Sequence, residues 1–96
     1  MRTNTRKALY SAISGFESDS GKRHHTICQR DFRDDPRYSK IYRVVLPRGW
    51  TLDDAQQMSR RIEDQTDWEV VGLSEDSRIG NERGYSFRAV ILSEAQ

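Results

Sequence analysis

The sequence predicts one small α+β domain: an antiparallel or mixed sheet of about four strands, one central helix packed on one face, and a weaker N-terminal helix. Three observations carry this. Residues 50–66 have a capped, amphipathic helical pattern. Residues 41–46, 68–73 and 85–92 are runs of β-branched and aromatic side chains. The helix falls between these runs in the chain, so helix and sheet must share a core. Ninety-six residues are expected to form a single domain over 1–96, and a chain of this size buries only about 60–70% of its unfolded surface.

In order along the chain, residues 1–4 are expected to fray. Residues 5–14 suit a short helix with Leu9, Ala12 and Ile13 on one side and Gly15 as its left-handed stop, although Leu9, Ser11 and Ile13 also alternate as in a strand. Residues 17–22 are a polar, linker-like turn. Thr26 and Ile27 place a first strand at 23–29. A loop over 31–39 follows, because Asp34, Asp35 and Pro36 make a turn signal and proline disfavours helical angles in the residue before it. The strand at 41–46 is apolar except for Arg43.

Pro47 and Gly49 then stop the chain, and Thr51 caps the central helix, with Asp53 and Asp54 at the positive end of its dipole. Leu52, Ala55, Ser59, Ile62 and Thr66 form its apolar seam with Met58 at the border, and Asp53, Gln57, Arg60 and Asp64 line the opposite face. Trp50 and Trp68, at either end, are expected in the core. Strands 68–73 and 85–92 make an antiparallel hairpin; Tyr85, Phe87, Ala89 and Ile91 share a face, and Gly80, Asn81 and Gly84 supply positive φ in the polar loop 74–84.

Hydrophobic residues make up 34% and charged residues 32% of the chain, a polar balance that nine aromatic residues keep from disorder and that is compatible with a homodimer. One cysteine, Cys28, excludes an internal disulfide and points to a reducing, cytoplasmic setting. No long apolar run follows Met1, so neither a signal peptide nor a membrane span is expected. The net charge of +1 conceals a split: residues 1–50 hold eleven Lys/Arg against five Asp/Glu, and residues 51–96 hold five against ten. Such halves can neutralise each other or present a basic face to an acidic partner.

Catalytic patterns fail on spacing. Gly15, Gly21 and Lys22 resemble a phosphate-binding loop, but five residues separate the glycines and Arg23 stands where Ser or Thr is needed. His24, His25 and Cys28 are metal-ligand types, yet neighbours on a strand point to opposite faces, so the histidines cannot easily share an ion. Asp31, Asp34 and Asp35 near them match no hydrolase spacing and read as a solvated loop. We therefore expect no cofactor, no metal and no enzymatic activity.

The informative stretch is 30–48, where cations and rings interleave: Arg30, Phe32, Arg33, Arg37, Tyr38, Lys40, Tyr42, Arg43 and Arg48. The plain reading is that Phe32 and Tyr42 belong to the core and the cations form a solvated rim. The functional one is a partner-binding surface of Arg30, Phe32, Arg33, Arg37, Tyr38, Lys40 and Arg48, with Arg78 and Arg83 as a second candidate surface. The expectation is a small protein acting by stoichiometric binding to a larger protein or nucleoprotein. Inhibitors encoded by phages and mobile elements are of this kind, an expectation resting on size and not on any residue. The alternative is direct nucleic-acid binding through 30–48, where rings stack on bases and cations hold phosphates.

Overall fold

The computed structural model describes residues 4–21, 26–32, 35–47, 49–76 and 84–93. Its elements are α1 (Arg6–Ser20), β1 (Ile27–Arg30), β2 (Tyr38–Val45), α2 (Leu52–Gln65), β3 (Glu69–Asp76) and β4 (Gly84–Leu92). The four strands form one antiparallel sheet in the order β1-β2-β4-β3. The fold is α+β, as the sequence predicts.

Helix α2 forms for the local reasons visible in its sequence. The Thr51 hydroxyl accepts from the Asp54 amide at 3.2 Å while the Asp54 carboxylate accepts from the Thr51 amide at 2.8 Å, a reciprocal capping box. Trp50, just before the cap, and Ala55, one turn in, are both buried, the positions of a hydrophobic staple. The apolar stripe is rotated from the expected seam: Ala55, Met58 and Ile62 are fully buried, and Leu52 in the first turn is 44% exposed. Met58 lies at the centre because the run 55, 58, 62 follows the helical period. At the C-terminus the Thr66 hydroxyl donates to the Ile62 carbonyl and accepts from the Trp68 amide, which turns the chain into β3.

Helix α1 corrects two expectations. It runs through Gly15 to Ser20, so Gly15 is not its stop and residues 17–20 are its last turn instead of a linker. The stop is Gly21, at φ 71°. The reason is tertiary: Leu9, Ala12, Ile13 and Phe16 continue one buried stripe past the glycine, and Phe16 packs on Trp50 with ring centroids 5.8 Å apart. Gly15 also makes room for α2, since a Cβ there would lie 3.0 Å from Arg61 Nη2.

Both helices cover one face of the sheet. Their buried residues share a cluster with Tyr42 and Val44 of β2 and Phe87 and Ala89 of β4, with Cys28, Val70, Tyr85 and Ile91 packed against it. Trp68 and Trp50 are core residues; Trp68 meets Tyr42 edge-on at 5.4 Å and its Nε1 donates to the Thr5 carbonyl at 2.9 Å. The opposite face carries Gln29, Ile41, Arg43, Val45, Ser86, Arg88, Val90, Glu69 and Val71, and no described helix lies over it.

The strands are longer than expected where non-local pairing extends them. Tyr38 and Ser39 belong to β2 instead of to a loop, because Tyr38 pairs with Leu92 and the Ser93 amide donates to the Arg37 carbonyl at 2.9 Å. Strand β3 continues to Asp76 past a register shift between Val71 and Ser74, where Gly72 takes φ 67°. Gly84 opens β4; Gly80 and Asn81 lie outside the described residues. So do residues 23–25 of the expected first strand, which is observed from Ile27 to Arg30.

Helix side chains blunt both sheet edges. The Asp31 amide bonds the Ile41 carbonyl, so odd residues of β1 bond β2 and even ones point outward. Of those outward groups, the Cys28 carbonyl accepts from the Tyr10 hydroxyl at 2.9 Å and the Thr26 amide donates to Glu17 at 3.3 Å. On β3 the Val70 amide donates to Glu63 of α2 at 3.1 Å. Edges occupied in this way resist edge-to-edge pairing between copies.

Candidate partner-binding surface

The β1–β2 connection and the start of β2 gather most of the described partner-binding candidates. Phe32 is 87% exposed, so it does not belong to the core. The Arg30 guanidinium stands over its ring at 5.6 Å. A few residues on, Arg37 covers the Tyr38 ring at 5.1 Å. Cations at this distance gain from the ring quadrupole. Tyr42, by contrast, is 6% exposed and packs against Trp68, as the plain reading has it. Lys40 is partly buried and its Nζ donates to the Asn4 carbonyl at 3.2 Å, which ties it to the start of α1.

The electrostatics of the tip are mixed. Asp35 and Arg37 form a salt bridge at 2.8 Å, and the Arg37 amide also donates to the Asp35 carboxylate at 3.0 Å. The Arg37 side-chain and backbone hydrogen bonds hold the Asp35 carboxyl down to about 2, and Asp35 in turn raises Arg37. Asp31 lies beside Phe32. Arg33 and Arg48, and the second candidate surface of Arg78 and Arg83, lie outside the described residues.

The metal and hydrolase candidates are not assembled among the described residues. No group of three His, Cys, Asp or Glu side chains there could hold an ion, and His24, His25 and Asp34 lie outside them. Cys28 faces the core side of β1; burial is the largest effect on its thiol, which is pushed up to about 12. It packs as a small apolar group. No described helix is long and apolar enough to cross a membrane.

Sequence reasoning missed one constellation on the sheet face away from the helices. Arg43, Arg88, Ser74, Ser86 and Asp31 line a cleft of about 200 Å³ beside Gly72. The strand period alone puts Arg88 and Ser86 opposite in facing to Phe87, and Arg43 opposite to Tyr42 and Val44. That signal was legible. What brings Arg43 and Arg88 together is the β2–β4 register, which pairs residues 45 positions apart. No protein-family model, curated protein or solved structure matches this chain.

Proposed function

We propose that this chain is a non-enzymatic binding protein that engages a larger protein or nucleoprotein stoichiometrically through the β1–β2 tip. The observation that supports it is Phe32: an aromatic ring 87% exposed, with a guanidinium over it. Fully burying a phenylalanine side chain is worth about 1.5–3 kcal/mol, so a partner covering this ring gains up to about that much. Arg30 and Arg37 would steer the approach and set the rim, and Tyr38 would add a second ring. An inhibitor of the phage or mobile-element kind, acting in the reducing cytoplasm where Cys28 stays a thiol, fits this size and chemistry.

The second reading, direct binding of single-stranded nucleic acid, draws on the two neighbouring cation–ring stacks. Against it stands the neutralisation of Arg37 by Asp35, since a polyanion is held by several free cations. The blunted edges favour a monomer over an edge-paired dimer.

The test compares wild type with Phe32→Ala in quantitative pull-downs from source-cell lysate. The exposed substitution should change stability by no more than about 0.5 kcal/mol and weaken partner retention by at least about 2 kcal/mol, roughly thirtyfold. A partner held equally by both proteins would remove the tip from the interface. Affinity for oligonucleotides that falls steeply with salt and is lost on Phe32→Ala would put the second reading first.

A further inference from the structure

The face of the sheet away from the helices holds two arginines where strand geometry brings side chains closest. The Leu46 amide donates to the Tyr85 carbonyl at 3.0 Å, continuing the register in which Tyr42 meets Ala89 and Val44 meets Phe87. Hydrogen-bonded and non-bonded pairs alternate, so Arg43 and Arg88 form a non-bonded pair, with β-carbons about 4.5–5.5 Å apart. Like charges set directly opposite each other repel. Among the described residues neither arginine makes a salt bridge.

The surroundings are arranged around this pair. Gly72, at φ 67°, leaves a notch that Arg88 fills: a Cβ there would lie 3.0 Å from Arg88 Nη2, so the guanidinium rests on the β3 backbone. Just beyond the bulge, Ser74 and Ser86 pair across β3 and β4 and line the same cleft. Asp31 lines it too, and the Arg88 charge reaches the Asp35 carboxyl and helps hold it ionised, so carboxylates moderate the positive charge here.

We propose that this cleft binds a single phosphate group, with Arg43 and Arg88 as charged donors and Ser74 and Ser86 as hydroxyl donors. Two guanidinium forks and two hydroxyls offer more donors than a carboxylate's two oxygens take, and they suit a tetrahedral oxyanion. The size limits the ligand: about 200 Å³ is below the range of about 300–1,000 Å³ that holds a whole small molecule. The bound part is therefore the phosphate itself, free or at the end of a small monoester whose remainder stays in solvent. With Asp31 lining the cleft and Asp35 within reach of Arg88, the local charge suits one phosphate and not a chain of them.

The experiment follows backbone amide shifts of Gly72, Ser74, Ser86 and Arg88 during titration with inorganic phosphate, against chloride at matched ionic strength. A parallel arm uses a nucleoside 5′-monophosphate, which separates free phosphate from a monoester. Saturable shifts at these residues, weakened about tenfold or more by Arg43→Gln as one charge-assisted contact is lost, support the site. Arg43 is exposed, so this variant keeps the fold even if Arg88→Gln does not. Non-saturating shifts, or saturation unchanged in Arg43→Gln, overturn the proposal. So does an oligonucleotide that binds this face far more tightly than either small ligand, with a salt slope of several charges. Phe32→Ala should bind phosphate as wild type does, so this site and the partner-binding tip fail separately.

Discussion

Substituting Gly15 by alanine discriminates between the sequence's view of α1 and the structure's. Were Gly15 a left-handed helix stop, a Cβ would cost about 1–2 kcal/mol. In the middle of a helix the same change gains about 1 kcal/mol. One atom opposes the gain: the new Cβ would lie 3.0 Å from Arg61 Nη2, the far end of a long side chain. Arg61 is joined to Asp19 at 2.6 Å, but Asp19 is 67% exposed, so loosening that bridge costs about 0–1 kcal/mol. A cleft of about 470 Å³ between α1 and α2, lined by Phe16, Asp19, Gln57, Arg60 and Arg61, gives the guanidinium room to move. The Arg61 Nε is buried without a hydrogen-bond partner among the described residues, so movement also restores its hydration.

The balance is a net gain of about 0.5 kcal/mol, or a rise in Tm of roughly 2–4 °C for a domain of this length. Thermal melting followed by far-UV circular dichroism measures it, and the same substitution made in an Arg61→Ala background isolates the contact. There the gain should reach the full helix value of about 1 kcal/mol. A loss of stability in both backgrounds would refute the helical reading of Gly15. A loss that Arg61→Ala cures would show Arg61 locked against α1.

Removing the α2 cap by Thr51→Ala should cost about 1 kcal/mol, within the usual range of about 0.5–2 kcal/mol, read as a lower denaturation midpoint with an unchanged m-value; no shift would mean the 3.2 Å contact to the Asp54 amide contributes nothing. The Asp35 carboxyl, held at about 2 by Arg37, should favour the folded state above its unfolded value of about 3.9 and lose that contribution as pH falls toward 2. Arg37→Gln should raise its titration midpoint in carboxyl-carbon NMR, short of the ordinary value because the residue 37 amide still donates; an unchanged midpoint would refute the assignment. Cys28, shifted from 9.0 to about 12, carries about a thousandfold less thiolate than an ordinary cysteine near neutral pH. Alkylation of the native protein should be correspondingly slow and should accelerate on denaturation, and rapid native labelling would contradict the burial of β1 against the core.

The local signals in the sequence were those that act within a turn of chain. Thr51 and Asp54 sit three residues apart and cap each other whatever the rest of the protein does. Tyr85, Phe87, Ala89 and Ile91 share the core-facing side because the strand period is two, and the pleat needs no partner to set it. Ala55 and Ile62 of the α2 seam and both tryptophans in the core follow in the same way, whereas Leu52 is exposed and Met58 lies at the centre of the stripe.

Tertiary structure decided what depends on distant residues. Phe16 and Arg61 keep α1 helical through Gly15. Residues 84–93 lengthen β2 and β3 by pairing with them, and nothing within residues 31–42 distinguishes exposed Phe32 from buried Tyr42 until the strand register exists. The candidate phosphate cleft is the extreme case: Arg43, Gly72 and Arg88 are unremarkable singly, and they meet because β4 inserts between β2 and β3. Period and capping are written in neighbouring side chains. Register is a contest among whole-sheet pairings, settled by which arrangement buries the shared apolar face, and no single stretch of this chain contains it.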